Sequence, residues 1–298
     1  MITIEYSSMC FNEDNYKEKI DEAQNFCSKE GFQFGIQIHN SITQPLYNRV
    51  IRYKDSIPLS AHSPVFSKHF LNLAMDDAAL IRDTFNEAKK HLEFIGDKLF
   101  FFHGFFMANE PIVMDMNNYR KVIRKGVGED LCYKGSFIMN PELFDTDIFN
   151  RYKETFLRNY KMLKEENKDF IISLENDFVG IGSGLQRPRE ILELIENLYF
   201  DIGHFWTSSL LHKFDYYEAA SEIIQKKNIT GCHIQRSLIG KSVPLEKIYD
   251  THSHIYLESE QDVQKIVRML ANKGIEKFTL EIIDGDLKDI ETFIDYIS

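Results

Sequence analysis

The chain has 298 residues, with 35 Lys and Arg against 46 Asp and Glu, and a formal net charge of −11. Hydrophobic residues make up 43% and charged residues 27%, which excludes wholesale disorder and suits one large domain or two average ones. The acidic balance argues against holding nucleic acid by charge alone, and no apolar run approaches the roughly 18 residues of a membrane helix.

In chain order, short apolar runs at residues 2–6, 33–39, 57–61, 98–102, 170–174, 198–201, 230–234 and 278–282 read as strands buried on both faces. Stretches at 15–28, 77–94, 147–166, 188–197, 216–227, 259–272 and 287–297 read as helices between them. Val263, Ile266, Val267 and Leu270, for example, recur on one face at three- and four-residue spacing. Eight strands alternating with helices predict an α/β fold, a single (β/α)8 TIM barrel over residues 1–298. A doubly wound open sheet is the competing fold.

One interval breaks the rhythm. Residues 104–146, an insertion after the fourth strand, have weak periodicity and carry Arg120, Lys121, Arg124 and Lys125. In a barrel this segment overhangs the mouth and is expected to be a lid or substrate loop; a solvated excursion with a small helix is the alternative. The first residues, Met1-Ile-Thr-Ile-Glu-Tyr, lack a basic region followed by an apolar one. Cys10, Cys27, Cys132 and Cys232 have no CxxC or framework spacing, so reduced thiols in a cytoplasmic protein are the expectation.

Barrel chemistry is built at the C-terminal ends of the strands. The residues at or just past those ends are His39, His62, His103, Glu175, Asp201, His233 and Glu281, with His204, Asp250, His252 and His254 in the adjoining loops. Any one of them has an ordinary structural explanation, such as a cap or a core hydrogen bond. Together they put seven of the chain's 10 histidines on one rim. Imidazole mixed with carboxylate suits zinc, manganese or iron, and a bound cation relieves the repulsion among clustered carboxylates.

The strings His62-Ser-Pro, His103, Leu174-Glu175-Asn176 followed by Gly180-x-Gly182, Asp201-x-x-His204, His233, Asp250-x-His252 and Leu280-Glu281 resemble endonuclease IV within the xylose-isomerase-like TIM barrels. The resemblance implies three metal sites. His62 and His103 hold one ion, with Glu175 bridging to a second that Asp201, His233 and Glu281 complete. His204, Asp250 and His252 hold the third. Two or three divalent ions follow, zinc first, with iron or manganese as alternatives. It also implies hydrolysis of a phosphoester by metal-activated water, with Glu175 central. Arg236 and the cluster from Arg120 to Lys125 are the candidate contacts for a substrate anion, with an exposed solvated face as the alternative.

Two other families are similar. Sugar or sugar-phosphate isomerases and epimerases share Glu175, Asp201, His233 and Glu281, which in them bind one ion. Multinuclear non-haem iron oxidases that modify peptides share the nine-ligand pattern and the Asp250-Thr-His252 loop. The expected partner is therefore a phosphoester, a sugar or a peptide, with nucleic acid not favoured by charge and no membrane association. The aromatics beside the ligands, including Phe205 and Trp206 after His204, are expected to be packing, with base or sugar stacking as the alternative.

Overall fold

The computed structural model describes residues 1–298. Its strands are β1 (Thr3–Ser7), β2 (Gln33–Ile38), β3 (Leu59–Ala61), β4 (Leu99–Phe102), β5 (Ile171–Glu175), β6 (Asn197–Asp201), β7 (Asn228–Ile234) and β8 (Lys277–Leu280). The helices are α1 (Tyr16–Lys29), α2 (Gln44–Val50), α3 (Ala78–Ile95), α4 (Tyr119–Val127), α5 (Asp147–Glu166), α6 (Pro188–Leu194), α7 (Ile202–His212), α8 (Tyr216–Lys226), α9 (Val263–Asn272) and α10 (Leu287–Ile297). No helix is long and apolar enough to cross a membrane.

All pairings within the sheet are parallel, in the order β3-β2-β1-β8-β7-β6-β5-β4, so the architecture is the expected TIM barrel and not an open doubly wound sheet. The β3–β4 seam is the thinnest join. It is stitched just past β3, where His62 bridges Phe101 and Ser63 N donates to Phe101 O at 3.1 Å. His62 N in turn donates to Ile38 O at 2.9 Å.

Side-chain alternation along each strand divides the core into two layers. On β4, Phe100 points outward and stacks on Phe85 of α3 at 4.2 Å, whereas Phe101 points inward and stacks on Tyr199 at 3.9 Å. The inward layer is unusually polar. Glu5, Gln37, Ser60, Ser173 and Thr279 are all fully buried there, and their hydrogen bonds support the mouth from below.

Three helices went unseen by periodicity. α2 and α4 are short, and α7 is buried almost all round, so it has no polar face to alternate with. α4 lies within the 104–146 segment, which also contains 3-10 turns at Glu129–Leu131, Tyr133–Gly135 and Pro141–Asp145. Backbone bonds fix this segment to the loop after β5: Met107 N donates to Gly182 O (2.9 Å), Gly184 N to Phe105 O (3.0 Å) and Met139 N to Val179 O (2.9 Å).

Phe105 anchors the start of that segment, stacking on Phe149 (5.5 Å) and Phe156 (4.8 Å) of α5 with no exposed surface. Phe105→Ala is expected to destabilise the protein by about 3–5 kcal/mol in urea denaturation. A loss below about 1 kcal/mol would mean that this ring does not anchor the insertion.

Candidate metal centre

The parallel strands all end at one mouth. β5 and β6 terminate in Glu175 and Asp201, β7 carries His233 as its next-to-last residue, and His62, His103 and Glu281 follow β3, β4 and β8 directly. Asp201 also caps α7, its Oδ1 accepting from His204 N at 2.6 Å. The Asp-x-x-His spacing is thus an N-cap, which places the imidazole in the first helical turn beside the carboxylate. Asp250 and His252 come from the long connection after β7. His252 has φ +44°, a left-handed conformation disfavoured for a side chain with a Cβ. Its Nδ1 donates to Glu281 O at 3.0 Å, which turns Nε2 toward the mouth.

The nine side chains meet in three groups whose ligand atoms lie within 4.8 Å of one another: His62, His103 and Glu175; Glu175, Asp201, His233 and Glu281; and His204, Asp250 and His252. His39, a strand-end residue outside the nine, joins His62 and Glu281 in a further group, with its Nε2 3.6 Å from Glu281 Oε1.

Hydrogen bonds behind the ring aim the ligand atoms, as metal-binding histidines require. His103 Nδ1 lies 3.2 Å from Asp177 Oδ1, and His204 Nδ1 lies 3.3 Å from the carbonyl of Asn176. For His233 the polarity can be followed to the barrel floor. The Thr279 hydroxyl donates to Glu5 Oε2 at 2.7 Å, so Thr279 Oγ1 must accept from the Gln37 amide nitrogen at 3.0 Å. The Gln37 oxygen then accepts from His233 Nε2 at 2.9 Å, and Nδ1 is left facing Glu175 Oε1 at 2.7 Å.

Sequence reasoning missed Gln37, Asp177 and Gln235. Gln235 Nε2 donates to both oxygens of Asp201 (2.8 and 2.7 Å) and to Asp250 Oδ2 (3.0 Å), joining two of the groups. The available signal was position: Gln37 is a polar residue inside an apolar strand run, Gln235 directly follows the run at 230–234, and Asp177 directly follows Glu175-Asn176.

The donor set fits divalent cations. Glu175 Oε2 and Glu281 Oε1 are buried without a hydrogen-bond donor. His62 Nε2 is 2.8 Å from Glu175 Oε2, but no N–H points along that approach. Buried carboxylate oxygens facing imidazole nitrogens in this way need a positive charge between them. Protons respond to the same demand. Burial opposes a charge on His204, yet Asp201, Glu175, Asp250 and Glu281 outweigh it and push its pKa up to about 9. Burial likewise opposes a charge on His233, and Glu281 and Glu175 raise its pKa well above the usual range.

Above the ring lies a cavity of about 250 Å³, lined by 21 residues of which 11 are hydrophobic. Glu281, Asp250, His62, His103, His204 and His252 reach its wall, whereas Glu175, Asp201 and His233 do not. Arg236, expected to meet a substrate anion, is placed elsewhere. Its guanidinium donates to Ile255 O (2.9 Å), Gln261 O (2.7 Å), Ser259 Oγ (3.3 Å) and Tyr296 Oη (3.3 Å), and it does not line the cavity. The cation that does is Arg120. Arg124 instead pairs with Glu129 at 2.6 Å. Phe205 and Trp206 are buried packing groups, with Trp206 Nε1 donating to Ile239 O at 2.7 Å. His254 bonds Asp289 at 2.8 Å, away from the cavity wall.

Two expectations follow. A Cβ added at Gly203 would lie 2.2 Å from Asp250 Oδ2, so Gly203→Ala must displace that carboxylate. The same Cβ would lie 2.7 Å from Gln235 Nε2, which holds Asp201, so the variant is expected to fold yet bind divalent metal at least tenfold more weakly, as measured by metal titration against the parent protein. The pH dependence also has a sign. His204 is raised from 6.5 to about 9, so its charge stabilises the metal-free fold fully below pH 6.5, and that contribution is lost as pH rises through 9. The Tm of metal-free protein is therefore expected to fall across this window, with a shallower slope under saturating zinc or manganese.

No protein-family model matches the chain, and no curated protein matches its sequence. Solved structures share the fold. A D-tagatose 3-epimerase-like protein is 16% identical, with a TM-score of 0.60, covering 100% of this chain and 98% of its own. A Thermus thermophilus protein, from a crystal soaked with zinc chloride, is 13% identical with a TM-score of 0.51, covering 99% and 98%. A candidate xylose isomerase from Rhodospirillum rubrum is 13% identical with a TM-score of 0.51, covering 100% and 96%. Over essentially its whole length this chain shares its TIM-barrel fold with these three proteins.

Proposed function

We propose that the protein is a metal-dependent isomerase or epimerase acting on a small hydroxycarbonyl compound. The observation that carries this reading is the buried Glu175, Asp201, His233 and Glu281 cage opening onto a small, largely apolar cavity. The epimerase-like and isomerase-like neighbours support it against the phosphoester hydrolysis that the sequence resemblance put first. So does the cavity itself: one guanidinium and a volume of about 250 Å³ offer little to a polymeric phosphodiester.

A divalent ion in the cage would polarise a carbonyl or hydroxyl oxygen of the substrate. Glu281 reaches the cavity wall with Oε1 free of donors, so it is assigned as the group that takes and returns the carbon-bound proton. Glu175 lies below that wall, with its Oε1 held by His233 Nδ1 at 2.7 Å and its Oε2 facing His62 and His103, and its role is to hold the cage together. The 104–146 segment supplies Phe106, Tyr119, Arg120 and Phe137 to the wall and is assigned as the substrate-contacting loop.

The two outer groups, His62–His103–Glu175 and His204–Asp250–His252, favour a second reading. They exceed what a one-ion isomerase requires and would equip a multinuclear phosphoester hydrolase. Metal content separates the two: about one tightly held ion per chain supports the isomerase, three support the hydrolase.

The direct assay is incubation of manganese-loaded protein with hydroxy ketones in D2O, followed by NMR. Deuterium is expected at carbon, with exchange abolished by chelation. Glu281→Gln is expected to weaken metal binding yet still to slow exchange at least 100-fold at manganese concentrations that fill the site, whereas Glu175→Ala is expected to lose metal outright. Cleavage of a model phosphodiester by the zinc-loaded protein, with no carbon exchange, would overturn the isomerase reading.

A further inference from the structure

The cavity wall says more about the substrate than the cage does. Phe137 and Phe178 lie nearly parallel, 8° apart with ring centroids separated by 6.4 Å. Tyr119 stands 6.0 Å from Phe137 and 6.4 Å from Phe178. Phe70 continues the surface, 6.3 Å from Tyr119 and 5.9 Å from Phe106. The aromatic wall begins at the metal centre, since Phe178 meets His103 edge-on at 5.4 Å and His204 at 5.9 Å. It ends at Arg120, whose guanidinium sits 5.5 Å above the Phe137 ring.

Arg120 is the one Lys or Arg among the lining residues, and it makes no ion pair with any carboxylate of the chain. A sugar presents several hydroxyls, and each one buried without a partner weakens binding. Stacked rings satisfy none of them. A flat apolar group, by contrast, gains both burial and ring contact. A single planar guanidinium at the far end matches one carboxylate in two parallel hydrogen bonds.

Resting on the isomerase reading for the reacting end, we propose that the substrate is an aromatic monocarboxylate whose hydroxycarbonyl group faces the metal cage. Its ring lies along Phe137 and Phe178, and its carboxylate pairs with Arg120. The polyol substrates of sugar isomerases are not what this wall is built for.

The test is binding, measured by calorimetry on metal-free and manganese-loaded protein, with 3-phenylpropanoate, 3-phenylpropanol and D-fructose as probes. 3-Phenylpropanoate is expected to bind at least tenfold more tightly than either other probe, in both preparations. Arg120→Gln, at an exposed helix position that the fold tolerates, is expected to weaken 3-phenylpropanoate at least tenfold and to leave 3-phenylpropanol within twofold. Phe137→Ala is expected to weaken both. D-Fructose binding as tightly as 3-phenylpropanoate, or Arg120→Gln leaving 3-phenylpropanoate within twofold, overturns the proposal. Because the metal-free arm does not depend on the cage, it reads the wall alone. The D2O assay reads the chemistry, so either conclusion can fail while the other stands.

Discussion

Four carboxylates brought to one end of a barrel repel each other strongly where water is excluded, and the rest of the mouth is arranged around that constraint. Glu175, Asp201 and Glu281 are all buried, with Asp250 close by through Gln235. Imidazoles alternate with them: His62, His103, His204, His233 and His252 each approach at least one within 4 Å. Protons on those rings can balance the charge, and so can cations. Two carboxylate oxygens nevertheless remain without a donor, and they mark where protons alone leave the demand unmet.

Beneath the ring, the barrel interior is a hydrogen-bonded scaffold and not a plug of aliphatic side chains. Glu5 orders Thr279, Thr279 orders Gln37, and Gln37 settles which nitrogen His233 offers. The Phe101–Tyr199 stack fills the remaining space, with the Tyr199 ring 4.7 Å from that of His233. An acidic floor thus acts on the ring through neutral groups, and it adds no further negative charge at the mouth itself.

Much of this was legible in the sequence. Strands buried on both faces write themselves as apolar runs, and all eight runs correspond to strands. The grouping of the candidate ligands was legible because a barrel turns strand ends into neighbours, so residues far apart in sequence share one rim. What stayed hidden depends on contacts that no local pattern encodes. α7 buries polar and apolar residues alike on nearly every side and so has no period to detect. Arg236 and Arg120 look alike in sequence, but one guanidinium is enclosed by the carbonyls of Ile255 and Gln261 while the other stands over Phe137. Glu175 and Glu281 differ in the same way: each closes an apolar strand, yet only Glu281 reaches the cavity.

The placement of His62 carries one more consequence. Its backbone is the clasp of the β3–β4 join, and its ring is one of the grouped imidazoles. Breathing of the cylinder at its weakest hoop therefore cannot occur without swinging that ring, and whatever grips the ring restrains the hoop. Exchange of the Ser63 amide hydrogen, bonded across the join to Phe101, then becomes a local gauge of how firmly the mouth is occupied.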